Sequence, residues 1–123
     1  MIEIKIPFKT PTVNQMYATF NGNRVKSKEA RELNIKVKEI IDSLDYKPIK
    51  GKLKETIDIY SNWINKDGSI KKKDVCNYEK FINDAIFGNL KDMDDSQVFK
   101  IKLNKQQSDE EYSIIKIEEY NDI

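Results

Sequence analysis

The stretch Lys71 to Val98, KKKDVCNYEKFINDAIFGNLKDMDDSQV, does most to limit what this chain can become. Tyr78, Phe81, Ile82, Ala85 and Ile86 recur at three- and four-residue intervals, the spacing of one apolar face of a helix. Asn77 is suited to capping its start, and Gly88-Asn89 to ending it. Three lysines and Asp74 stand before this helix, and Asp92, Asp94 and Asp95 follow it. The loop Leu90 to Met93 allows the second acidic group to fold back beside the first. Carboxylates gathered from both ends of one helix suit a divalent cation, and hard oxygen ligands suit Mg²⁺ or Mn²⁺. Lysines beside such a site would hold phosphates, so the pattern points to metal-dependent cleavage of nucleic acid.

The rest of the chain supplies a scaffold for that helix. Ile2, Ile4 and Ile6 alternate with charged residues, as in a half-buried strand. Thr10 to Lys26 contains Pro11, Asn14, Asn21, Gly22 and Asn23 and reads as a long loop. Its Tyr17 and Phe20 either stack on bases or pin the loop to the core, with the core favoured. Arg24, Lys26 and Lys28 suit DNA phosphates. Ser27 opens a helix whose stripe is Leu33, Val37, Ile40, Ile41 and Leu44, ending near Asp45 before Pro48. Ile57, Ile59 and Trp63 mark a second strand. Val98, Ile101 and Leu103 mark a third beginning at Ser96, and Tyr112 to Tyr120 a fourth, joined to the third by a polar hairpin loop, Asn104 to Glu111. The expected fold is α/β (α+β), with two helices on a small mixed sheet in the order β-α-β-α-β-β, as one domain over residues 1–123.

Composition narrows the chemistry. The absence of histidine removes imidazole bases and Ser-His triads, and a single cysteine excludes an internal disulfide. Net charge is only +1, but lysine and arginine outnumber acids over residues 1–54 and acids dominate residues 91–123. A basic front with an acidic tail fits phosphate binding through one face, or simply a solvated lysine-rich surface. Met1 to Lys5 lacks the apolar run of a signal or membrane-spanning segment, so the expectation is a cytoplasmic protein with no membrane partner.

Taken with an earlier segment, the central stretch resembles the RusA-type Holliday junction resolvases, small homodimeric endonucleases common in phages and prophages. The family pattern runs from one or two basic residues through Asp-x-Asp-Asn-x-x-Lys and Asp-Ala to Asp-Asp-x-Gln-Val/Ile. Lys72-Lys73, Asp74-Val75-Cys76-Asn77, Lys80, Asp84-Ala85 and Asp94-Asp95-Ser96-Gln97-Val98 follow it in order and spacing. Pro11-Thr12-Val13-Asn14-Gln15-Met16-Tyr17 follows a Pro-Pro-Ser-x-Asn-x-x-Tyr-like segment after the family's first strand. The resemblance implies a RusA-like fold and paired hydrolysis of four-way junctions by a homodimer. It makes Asp74, Asp95 and Asp94 the metal site, with Asp74, Lys80 and Asp95 catalytic. Lys71, Lys72, Lys73, Asn14, Arg24 and Lys26 would hold DNA, and Cys76, Asn77 and Asp84 would support the site.

Each assignment has a plainer alternative. Lys80 and Asp84 can be a surface ion pair at i,i+4, Asp74 a surface charge, and Asp94-Asp95 a turn before a strand. Cys76 stands where the family shows its second metal-binding aspartate, and a neutral thiol is a poor ligand for Mg²⁺. The chain is therefore an active nuclease, a branched-DNA binder weakened in cutting, or an interaction module using the acidic tail Asp109 to Asp122.

Overall fold

A computed structural model describes residues 1–121; Asp122, the end of the acidic tail, lies outside them. The first strand, β1 (Ile2–Ile6), buries Ile2, Ile4 and Ile6 and exposes the residues between. A 3₁₀ turn at Val13–Gln15 follows, and then the segment expected to be loop departs from expectation. Residues Tyr17–Phe20 (β2) and Asn23–Lys26 (β3) form an antiparallel hairpin. Asn21 and Gly22 at its tip adopt φ of 51° and 78°, the left-handed pair that a tight hairpin turn requires. Tyr17 is half-buried against the core, but Phe20 is 67% exposed at the tip, contrary to its expected core role.

Ser27 caps helix α1 (Lys28–Asp42), its hydroxyl accepting from the Ala30 N–H at 3.1 Å. The helix buries Ala30, Val37 and Ile41 and ends at Asp42, short of Asp45, where the Ser43 N–H turns onto the Glu39 carbonyl. Strand β4 (Leu53–Ser61) alternates buried and half-exposed residues over its whole length. Trp63 lies beyond it, buried, with its indole N–H shared between the Ile59 and Gln106 carbonyls.

After the turn Asn65 to Gly68, helix α2 (Cys76–Asn89) crosses back over the sheet, burying Tyr78, Phe81, Ile82, Ala85, Ile86 and Phe87. A second 3₁₀ turn, Asp95–Gln97, leads into β5 (Val98–Gln107), and β6 (Tyr112–Glu119) completes the main sheet. The sheet order is β1-β6-β4-β5, with β4 and β5 parallel and the other pairs antiparallel. A parallel pair needs a crossover, and α2 is that crossover. The main-sheet order therefore matches β-α-β-α-β-β, with the β2–β3 hairpin added between β1 and α1.

The hairpin expected between the last two strands is absent, because β5 and β6 lie on opposite sides of β4. Asn104 to Gln107, expected as loop, continue β5 instead. Asp58 on β4 accepts hydrogen bonds from Asn104 at 2.9 Å and Gln106 at 3.1 Å, which gives these polar residues partners within the sheet. One hydrophobic core joins the inward residues of β1, β4 and β6 to both helices.

Candidate nucleic-acid cleft on the second helix

Because α2 buries one side in the core, its other flank is left to line a cleft. Glu79, Lys80, Asn83 and Asp84 form that flank, and Asp95, Val98 and Ile101 form the opposite wall. Lys80 and Asp84 pair across one helical turn at 3.3 Å, as their spacing predicts. Hydrogen bonding to Asp84, reinforced by its charge, pushes the Lys80 ammonium above its ordinary value, with smaller help from Tyr17 and Glu79. Lys80 therefore stays charged throughout the physiological range.

The hairpin flanks this cleft. Tyr17 acts electrostatically on Lys80, and the Arg24 guanidinium covers the Tyr17 ring at 4.1 Å. Lys26 shares a small recess with Met16, Phe81 and Asp84 between the hairpin and α2. Asn14 is exposed on the first 3₁₀ turn. Lys26 thus comes beside Asp84, and Arg24 covers the neighbouring Tyr17, from a segment far away in sequence.

Asp95 reaches the cleft because Asp94 and Gln97 staple the turn that carries it. The Asp94 carboxylate accepts from the Ser96 N–H at 3.0 Å, and its own N–H donates to Gln97 Oε1 at 2.7 Å. The Gln97 amide also donates to the Ile49 and Gly51 carbonyls, each at 3.0 Å, tying the turn to the chain before β4. The bonds from Ser96 hold the Asp94 carboxyl below its usual range. The motif Asp94-Asp95-Ser96-Gln97 is thus a capped turn presenting one aspartate.

Asp74 stands exposed at the entry to α2, outside the residues lining the cleft. Its Oδ1 accepts from the Cys76 N–H at 3.0 Å. Asp74 therefore does the capping expected of Asn77, which lies exposed inside the first turn beside the exposed Cys76 thiol. Before it, Lys71 and Lys73 are half-buried and Lys72 is exposed. The Lys73 carbonyl accepts from Lys105 Nζ at 2.6 Å. Among the described residues no three His, Cys, Asp or Glu side chains gather in a way that could hold a metal ion. The donors are hard oxygens of the kind Mg²⁺ takes, and Mg²⁺ commonly uses one or two carboxylates with waters and substrate phosphate.

Sequence reasoning missed Glu55, Glu79 and Asn83. Glu55 on β4 is 0% exposed, and neither carboxylate oxygen has a hydrogen-bond partner among the described residues. Burial, and then the charge of Glu79, push its carboxyl up to about 7, and the nearby Asn83 side chain, which makes no well-formed hydrogen bond to it, pulls weakly the other way. Asn83 Nδ2 donates to Glu79 Oε1, while Asn83 Oδ1 is buried without a partner. The signal was available: Glu55 is in phase with Ile57 and Ile59 and so has to face inward.

A mixed sheet backed by two helices, with a cleft of lysine and carboxylates along the crossover helix, defines a small mixed α/β domain. The chain matches the endodeoxyribonuclease RusA family over residues 7–118 and belongs to that family, whose members are Holliday-junction-resolving endonucleases. Comparison with curated proteins finds no match. Among the described residues no helix is long and apolar enough to cross a membrane.

Proposed function

We propose that this chain resolves four-way DNA junctions by metal-dependent phosphodiester hydrolysis, acting as a cytoplasmic homodimer. The observation that carries this reading is the pairing of Lys80 with Asp84 opposite Asp95, with Arg24 and Lys26 on the adjoining hairpin, in a member of this family. Asp74 and Asp95, with Asp94, would hold Mg²⁺ or Mn²⁺; Asp74 gives one oxygen to the Cys76 N–H, while the Asp94 carboxylate is engaged by the backbone of its own turn. The cation would supply an activated water and neutralise charge on the phosphate.

The chain's own groups do the rest. Lys80, charged and turned into the cleft, holds the scissile phosphate, and Asp84 sets its direction. Lys71, Lys72, Lys73, Asn14, Arg24 and Lys26 grip the backbone, and exposed Phe20 offers a ring for an unstacked base at the branch point. Two copies related by a twofold axis would present one cleft to each of two strands.

A second reading has its own support. With Cys76 exposed at the head of α2 and no three-ligand cluster among the described residues, the protein binds junctions but cuts them weakly. A synthetic mobile four-way junction incubated with Mg²⁺ or Mn²⁺ separates the two. Symmetric nicks that vanish in Asp95→Asn are expected of the nuclease; salt-sensitive binding without nicks marks the binder, and neither result sinks both.

A further inference from the structure

The polar end of β5 fastens the segment that delivers Asp74. Lys105 pairs in register with Ile59, a buried residue, so its side chain leaves the sheet on the face that α2 covers. There its ammonium lies 4.9 Å from the centre of the Trp63 ring and donates to the Lys73 carbonyl at 2.6 Å. Trp63 is itself held from β4 and β5. Its indole N–H is shared between the Ile59 and Gln106 carbonyls, each at 3.1 Å, and its backbone N–H donates to Gln107 Oε1 at 2.9 Å. Edge-on, the same ring meets Tyr78 of α2 at 5.9 Å.

From Trp63 a series of bonds runs to the head of α2. The Trp63 carbonyl accepts from the Lys71 N–H at 2.9 Å, and the Lys71 carbonyl accepts from the Lys73 N–H at 2.9 Å. The Lys73 carbonyl then takes Lys105, and the next residue, Asp74, caps the Cys76 N–H at 3.0 Å. Residues 71–74 lie in no helix or strand, so no regular ladder holds this run of lysines in place. The Lys105 bond carries a full charge on its donor, which makes it about twice as strong as a bond between neutral groups. It also grips the peptide unit that joins Lys73 to Asp74.

We propose that Lys105 is a positioning residue: by bonding the Lys73 carbonyl it fixes the peptide between Lys73 and Asp74, and so sets where the Asp74 carboxylate stands at the head of α2. Without that bond the peptide rotates more freely, and the Asp74 cap on the Cys76 N–H opens more often. The contribution of Lys105 to cutting passes through Asp74 rather than through a phosphate of its own. That link to cutting rests on the nuclease reading above, in which Asp74 holds a cation; the link to the backbone does not.

The test compares the full wild-type chain with Lys105→Met, Lys105→Arg and Lys102→Met. Methionine keeps a long stem against Trp63 without a donor, and arginine restores an N–H donor. Lys102→Met removes a β5 charge on the other face of the sheet, in register with Thr56. In the first arm, NMR follows amide hydrogen exchange without divalent metal. The Cys76 amide is expected to exchange about fivefold faster in Lys105→Met and at the wild-type rate in the other two variants, with the Ile57 amide of β4 unchanged throughout. Cys76 exchange that is equal in all four proteins, or that quickens only in step with Ile57, overturns the proposal. In the second arm, the nicking rate at saturating junction with Mg²⁺ or Mn²⁺ is expected to fall about tenfold in Lys105→Met and to return in Lys105→Arg. The salt dependence of metal-free junction binding is expected to match wild type in both. A slope lower by about 0.9 in Lys105→Met would make Lys105 a phosphate contact, and an unchanged nicking rate would make it idle; either overturns the positioning role. If the wild type does not cut, the nuclease reading fails while the exchange arm still decides whether Lys105 fixes Asp74.

Discussion

Because desolvation raises the Glu55 carboxyl from 4.5 to about 7, the folded chain holds a proton that the unfolded chain has already released over that window. The sign follows directly. Stability is greatest below the unfolded value, falls as pH rises from 4.5 to about 7, and levels off above. The full difference is on the order of 3 kcal/mol, a large part of what holds a small domain together. Glu55→Gln removes the dependence. Urea denaturation at pH 5 and pH 8 is expected to show wild type weakening across that interval and the glutamine variant holding steady. Parallel weakening of both proteins would place the titrating group elsewhere. Glu55 was legible in the sequence as an inward position of an alternating strand. Its neighbours were not, because Asn83 and Glu79 lie on an adjoining helix and no local pattern places them over β4.

Among the elements, those that alternate or repeat against the core were readable, and those that are exposed or polar were not. Isoleucines mark β1 and the second half of β4, and an apolar stripe marks each helix, because burial imposes a period on the residues it covers. The β2–β3 hairpin has four-residue strands with little buried surface, so only Asn21-Gly22 announces it. The start of α2 was read with the wrong cap, since Asp74 and Asn77 are equally good capping residues by type and only the backbone decides. That distinction separates structure from chemistry at Asp74. Asp74→Asn keeps an oxygen for the Cys76 N–H and is expected to hold stability within about 0.5 kcal/mol, whereas Asp74→Ala is expected to lose about 1 kcal/mol. If the free Asp74 oxygen serves a cation, both variants lose junction cutting alike. Urea midpoints measured beside nicking rates check this, and a cutting loss that tracks stability instead would reduce Asp74 to a cap.

At the scale of the whole molecule, the order β1-β6-β4-β5 was beyond the sequence, because inserting the last strand between the first and third depends on pairings distant in the chain. In that sheet β4 and β5 are parallel, and α2, the crossover between them, keeps one flank free of the core. The hairpin, added before α1, then brings Arg24 and Lys26 to that flank. Part of the basic front noticed in composition thus lies next to the cleft, and the proposed DNA contacts have a measurable signature. Each phosphate neutralised by a cation releases counterions, so log K for binding falls with log salt at about 0.9 per contact. With the metal withheld, Arg24→Ala combined with Lys72→Ala is expected to reduce the slope for junction binding by about 1.8. Lys38→Ala is the control, since Lys38 pairs with Asp42 at 2.6 Å on α1, among residues that line no part of the cleft. Its slope should match wild type. Equal slopes in all three proteins would mean that DNA approaches another face, and the cleft along α2 would then lose its claim as the site.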